Sequence, residues 1–370
     1  MKFGLFFELS VPRPLTREHE QAAIRNALEQ ARLADELGFD TAWVVEHHFL
    51  EEYSHSSAPE VFLTAIAMQT QRIRVGHGAV VCVPGINHPV RIAERCAMLD
   101  ILSKGRLEVG TARSSTWTEV GGFGVSPDIT KVSWDEYVHA IPQMWTQNSF
   151  SWDGVTFSMP ERNVLPKPYQ DPHPPMWVAV TTPGTEMDAA ERGMGCLGVS
   201  ANSFSAQEQT VKRYRQAIRS CQPVGQVIND QVAGMNYLYC HEDRRQAANV
   251  GLEMVRNFNF LNTHQLWSRE VYPTPSYRTL GNLAPGKGTK APDDPRQDKG
   301  VPEGVTIGDP HDIIQAIRVW ETTGVDCMNF IVNCVETIDQ AAVLESLRLF
   351  AREVMPAFRR GRAQPDQEAA

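Results

Sequence analysis

Apolar positions along this chain recur at two periods. Short runs rich in Val, Ile, Leu and aromatic residues at 2–8, 41–46, 73–80, 107–111, 177–181, 196–200, 233–240 and 327–332 predict eight strands. Between them, helical spacing over 18–37, 59–71, 89–102, 134–145, 186–192, 206–220, 244–258, 310–323 and 338–354 predicts amphipathic helices. The punctuation agrees: Gly38, Gly193 and Gly324 follow helix ends, and Pro59, Pro89 and Pro310 open helices. The run Thr41-Ala42-Trp43-Val44-Val45 lacks strict apolar/polar alternation, as expected of a strand covered on both faces. Strand and helix alternating in this way predict an α/β fold with a parallel sheet closed into a barrel. An open doubly wound sheet is the alternative, but Glu8-Leu9-Ser10-Val11-Pro12 stands where its glycine-rich turn should follow the first strand.

Two insertions, about 149–168 and 262–305, break the rhythm. In the first, the runs around Asp153-Gly154 over 150–157 predict a hairpin. The second, with prolines at 273, 275, 285, 292, 295 and 302, predicts a lid-like loop after the seventh strand. The expected organisation is one domain over 1–357 with a tail at 358–370.

Composition narrows the function. A net charge of -9 argues against a nucleic-acid partner, which needs clustered Lys and Arg. Absence of an apolar run of ~18–20 residues argues against a membrane span, and the early Glu8 against a signal peptide. A soluble, cytoplasmic protein is expected. Seven cysteines without a Cys-x-x-Cys pair read as reduced thiols, and no spacing resembles a metal site.

In a parallel barrel the chemistry gathers at the C-terminal ends of the strands. The second strand ends in Glu46-His47-His48-Phe49, whose neighbouring imidazoles point to opposite sides and do not easily share a metal. One can serve as an acid, base or donor at the mouth, or both can cap the strand. Arg113 and Ser114-Ser115 follow the fourth strand, suited to a phosphate or carboxylate, or to an ordinary salt bridge. The fifth strand runs into Thr181-Thr182-Pro183-Gly184-Thr185, which can hold an anion at a helix start or simply cap it. Small residues at Gly78-Ala79 in the third strand admit a flat ring, or mark a bulge.

With these residues in view, the chain resembles the bacterial luciferase-like flavin monooxygenases nearly throughout. The resemblance rests on Met1-Lys2-Phe3-Gly4, Glu46-His47-His48-Phe49, His88-Pro89-Val90-Arg91, Leu99-Asp100, Ser103-Lys104-Gly105-Arg106, Thr185-Glu186, Gly308-Asp309-Pro310 and 350–356. It implies a TIM (β/α)8 barrel that binds FMN at the C-terminal face. By resemblance His47 is the catalytic histidine, and Arg113, Thr181, Thr182, Gly184 and Thr185 hold the phosphate. Gly78-Ala79 is similar to a non-prolyl cis peptide beneath the isoalloxazine, and Phe6 lines the same pocket. The implied activity is that of a two-component monooxygenase. A separate flavin reductase supplies reduced FMN, which reacts with O2 to a peroxyflavin and oxygenates a small organic substrate. A homodimer is implied as well. Ala112 stands where the luciferases carry a cysteine, and Val180 where they carry an acid, which points to the non-luminous relatives. The alternatives are a deazaflavin-dependent oxidoreductase and a non-catalytic flavin-binding subunit.

Overall fold

The computed structural model describes residues 1–114, 116–182, 184–199, 204–262 and 301–359. Its strands are β1 (Lys2–Phe7), β2 (Thr41–Val44), β3 (Arg74–Val81), β4 (Leu107–Ala112), β5 (Phe150–Asp153), β6 (Ser158–Arg162), β7 (Met176–Ala179), β8 (Gly195–Val199), β9 (Val232–Cys240), β10 (Thr306–Gly308) and β11 (Cys327–Ile331). Eight of them pair in parallel in the order β1-β2-β3-β4-β7-β8-β9-β11, and β11 returns to β1 to close the barrel. These are the eight predicted strands. The short β10, which the sequence pattern did not reveal, pairs with the far end of β9.

The surrounding helices are α1 (Arg17–Leu37), α2 (Pro59–Gln69), α3 (Pro89–Leu102), α4 (Trp117–Gly122), α5 (Thr130–Thr146), α6 (Thr185–Glu191), α7 (Phe204–Ala217), α8 (Arg244–Leu261), α9 (Pro310–Thr322) and α10 (Gln340–Leu349). Helix α1 is bounded as its sequence predicts. Thr16 Oγ1 accepts from the His19 N–H at its start, and Gly38, at φ 85°, ends it. The unpredicted α4 is a six-residue turn of helix beyond the fourth barrel strand, and it proves central to the site.

Two indoles fill the barrel. Trp43 and Trp177 meet edge-to-face at 5.4 Å. They fit because neighbouring strands carry glycine: a Cβ at Gly76 would lie 2.3 Å from Trp43 Cε3, and one at Gly195 2.5 Å from Trp177 Cε3. Trp177 Nε1 donates to Glu108 (2.7 Å), which also pairs with Arg74. With the lumen packed in this way, polar side chains beyond the strands' C-terminal ends form an open face.

The hairpin differs in detail from its prediction. Its second arm is β6, separated from Asp153 by the four residues 154–157, rather than 155–157. The Glu136 carboxylate on α5 accepts from the N–H groups of Val155 (2.6 Å) and Thr156 (2.7 Å), holding 154–157 as the loop. Of the expected lid at 262–305, residues 263–300 lie outside the described residues. Where the chain resumes, the Gly304 carbonyl accepts from Asn236 Nδ2 (2.7 Å) and Trp320 Nε1 (2.8 Å).

Candidate active site

His47 follows β2 and is locked between two carboxylates. Its Nδ1 lies 2.9 Å from Glu119 Oε1, and its Nε2 lies 3.8 Å from Glu8 Oε2. Glu119 sits fully buried in the first turn of α4, where Thr116-x-x-Glu119 forms a variant of the capping box. Thr116 Oγ1 accepts from the Glu119 N–H (3.1 Å) and donates to Glu119 Oε2 (2.8 Å). Ser114 Oγ also donates to that oxygen (3.1 Å), and the His48 N–H donates to Oε1 (3.2 Å). One carboxylate thus ties the end of β2 to the segment that follows β4.

The charges are strongly coupled. Burial alone would lower the basicity of His47, but the carboxylates of Glu119, Glu8 and Glu46 outweigh it and raise its pKa to about 9. Burial pushes Glu8 up to about 7 against the pull of His47 and of the Tyr53 hydroxyl. Glu119 is held below the usual carboxylate range despite its burial, by His47 and its hydrogen bonds. The cluster is therefore an imidazolium against a firm carboxylate on one side and a proton-accepting one on the other.

His48 turns away, as the strand geometry predicted. Its Nε2 lies 3.2 Å from Glu46 Oε1, and its ring meets Phe123 edge-on at 4.9 Å. Glu46 also accepts from the Val81 N–H and from Asn87 Nδ2, each at 2.7 Å, so it fixes the end of β3. On that strand the Gly78–Ala79 peptide bond is cis, as expected from the resemblance, and pairing with β4 shifts register between His77 and Val80. A Cβ at Gly78 would meet Phe6 Cε2 at 2.9 Å, which places the Phe6 ring against this peptide.

Arg113 follows β4. The residue is half-buried, and no carboxylate partner is found for it among the described residues, so the expected alternative of a salt bridge is not realised there. Because Thr111 pairs with Val178, the register brings Arg113 beside the segment that follows β7. Thr181 is exposed there, and Thr182 Oγ1 and Thr185 Oγ1 are 3.2 Å apart. Gly184, at φ 95°, is the N-cap of α6, a left-handed position natural to glycine. Its N–H is already committed to Glu186 Oε2 (2.8 Å), whose other oxygen accepts from Arg213 (2.7 Å). An anion at this turn would be met by hydroxyls and Arg113 rather than by that amide. Ser115 and Pro183 lie outside the described residues.

His47, Arg113 and the threonine turn therefore share one rim. The luciferase-like monooxygenase family matches residues 1–327. The chain belongs to this family. A flavin-dependent trigonelline monooxygenase, oxygenase component, of Acinetobacter baylyi is 24% identical over 364 residues, 97% of this chain and 96% of that one. Protein y4wF of Sinorhizobium fredii is 31% identical over 225 residues, 60% of each chain. Among solved structures, monooxygenase RslO1 from Streptomyces bottropensis superposes with a TM-score of 0.78 at 26% identity, covering 97% of this chain and all of that one. The oxygenating constituent of 3,6-diketocamphane monooxygenase from Pseudomonas putida, in complex with FMN, gives 0.74 at 18% (96% and 98% covered). An F420-dependent secondary alcohol dehydrogenase gives 0.69 at 17% (97% and 99% covered). At those lower identities the family barrel itself is what is shared.

Glu8, Glu119 and Tyr53 were not singled out from the sequence, and Glu46 entered only within the Glu46-His47-His48-Phe49 run, without a role of its own. Only Glu119 carried a local signal, the Thr-x-x-Glu capping motif at 116–119. Among the described residues, no helix is long and apolar enough to cross a membrane.

Proposed function

We propose that this chain is the oxygenase of a two-component monooxygenase that takes reduced FMN from a separate reductase and oxygenates a small organic substrate with O2. The observation that carries the reading is a half-buried arginine, Arg113, without a carboxylate partner among the described residues, on the same rim as a clamped imidazole. Arg113 would hold the phosphate by its planar fork, with the hydroxyls of Thr181, Thr182 and Thr185 beside it. The Gly78–Ala79 peptide, backed by Phe6, would present a flat wall bearing no side chain larger than a methyl group to the ring system. When bound, reduced FMN supplies the electrons that activate O2. His47 holds a proton at the mouth and can donate it from Nε2, while Glu119 fixes its orientation. The FMN-bound relative supports this cofactor, and the trigonelline monooxygenase component supports a reductase partner. The presence of both His47 and Arg113 favours a catalytic chain over a merely supporting subunit. Seven free cysteines suit a reducing cytoplasm.

The test is His47→Ala. It should bind FMN within about twofold of the parent, because histidine is assigned to proton handling and not to holding the cofactor. Oxygen consumption should persist while product formed per O2 falls and hydrogen peroxide rises. Unchanged coupling in this variant would remove His47 from the mechanism.

A further inference from the structure

We propose that Glu8 is the partner with which His47 shares a proton, a positioning residue that sets when the imidazole can donate. Glu8 directly follows β1 and is 6% exposed. Its carbonyl accepts from Ser54 Oγ (2.6 Å), and the next residue, Leu9, turns left-handed at φ 53°. Its Oε1 accepts from the Tyr53 hydroxyl (3.3 Å), whereas its buried Oε2 has no hydrogen-bond partner among the described residues. That oxygen lies 3.8 Å from His47 Nε2, the ring nitrogen that Glu119 leaves free.

A buried, ionised carboxylate oxygen without a donor is costly, so this oxygen needs either a proton of its own or a proton facing it. His47 is the group that can provide both. With the proton on Nε2, the imidazolium faces a carboxylate. With the proton on Oε2, a neutral acid faces a neutral ring. Nothing is oxidised or reduced: one proton resides on either atom, and closing the 3.8 Å gap to hydrogen-bond length, or one bridging water, carries it between them.

The other titratable groups facing the pair are Glu119 on α4, Glu46 after β2, Tyr53 before α2, Tyr237 on β9 and Cys334 after β11. Burial pushes both tyrosines and Cys334 above their ordinary ranges, so they stay neutral near pH 7. Glu119 is held ionised, and Glu46 is occupied by Val81, Asn87 and His48. Glu8 is left as the neighbour free to exchange a proton with His47.

The proton sharing does not depend on the cofactor, while its use in turnover rests on the function proposed above. The test is therefore a nitrogen-15 NMR titration of His47 in the cofactor-free chain, on the parent, Glu8→Gln and Glu8→Asp. The parent should titrate in two linked steps. Glu8→Gln should collapse them to one, with proton affinity at His47 lowered about tenfold or more. Glu8→Asp should restore two steps, and it keeps the test open should Glu8→Gln fail to fold. A Glu8→Gln curve identical to the parent's, or a parent or Glu8→Asp curve with a single unlinked step, would overturn the proposal. The pH profile of product formed per O2 should move with the NMR curve. If the NMR curve shifts and that profile does not, the shared proton stands and the functional reading fails.

Discussion

An imidazole flanked by two carboxylates holds its proton at neutral pH, and His47 stays that way as long as Glu119 and Glu8 keep their charges. Glu119→Gln should therefore lower the proton affinity of His47, and the same NMR titration reads this directly. Arg113→Ala should weaken FMN binding by about 10- to 100-fold, the scale of lost charge-assisted hydrogen bonds, and leave riboflavin binding within about twofold. Fluorescence titration with the two flavins measures that difference, and equal losses would remove the phosphate from Arg113. At this scale the sequence was half legible. His47 and Arg113 could be found because they follow strands, and strand ends are where a parallel barrel gathers its chemistry. The carboxylate partners of His47 could not: Glu8 comes 39 residues before it and Glu119 comes 72 after it, and no local pattern encodes such distant pairing.

Among the elements, periodicity identified the eight barrel strands because each is long enough and apolar enough to carry its own signal. It missed β10 because three residues cannot display a period, and α4 because six residues make less than two turns. The hairpin arm was displaced by Glu136, a tertiary contact from α5 that outweighed the Asp-Gly turn preference. The strands' glycines have a plainer reading in the structure than in the sequence. Gly76 makes room for Trp43, so Gly76→Ala should overpack the lumen and lower stability by about 1–3 kcal/mol or more. Urea unfolding would register it as a lower midpoint at unchanged slope, and an unchanged midpoint would contradict the packing described for the barrel.

For the whole molecule, the coupled charges make stability depend on pH. The folded-state pKa of His47, about 9, exceeds its ordinary 6.5, so its stabilising contribution is complete below pH 6.5 and is lost as pH rises toward 9. Glu8, raised from 4.5 to about 7, likewise binds its proton more tightly when folded, and relative stability falls as pH rises through that interval. Each group contributes a slope of at most ~1.4 kcal/mol per pH unit. Unfolding midpoints at pH 5, 7 and 9 should thus decline more steeply for the parent than for His47→Gln in the upper interval, and equal declines would show the cluster to be uncoupled from folding. Exposed apolar side chains also cluster on two helices, Val61 (68%) and Met68 (62%) on α2 with Met98 (51%) and Leu102 (39%) on α3. They would suit the homodimer that the family resemblance implies. Met68→Glu with Met98→Glu should give a monomer by light scattering at an unchanged circular dichroism spectrum, and an unaltered mass would place the subunit contact elsewhere or nowhere.

The central claim is that one rim, built by His47, Gly78–Ala79, Arg113 and the threonine turn, receives a single flavin mononucleotide. Equilibrium titration of the purified chain with reduced FMN, and in parallel with reduced F420, tests it most directly. The predicted result is one FMN per chain, with F420 at least tenfold weaker. Saturable binding of F420 together with indifference to FMN would contradict it.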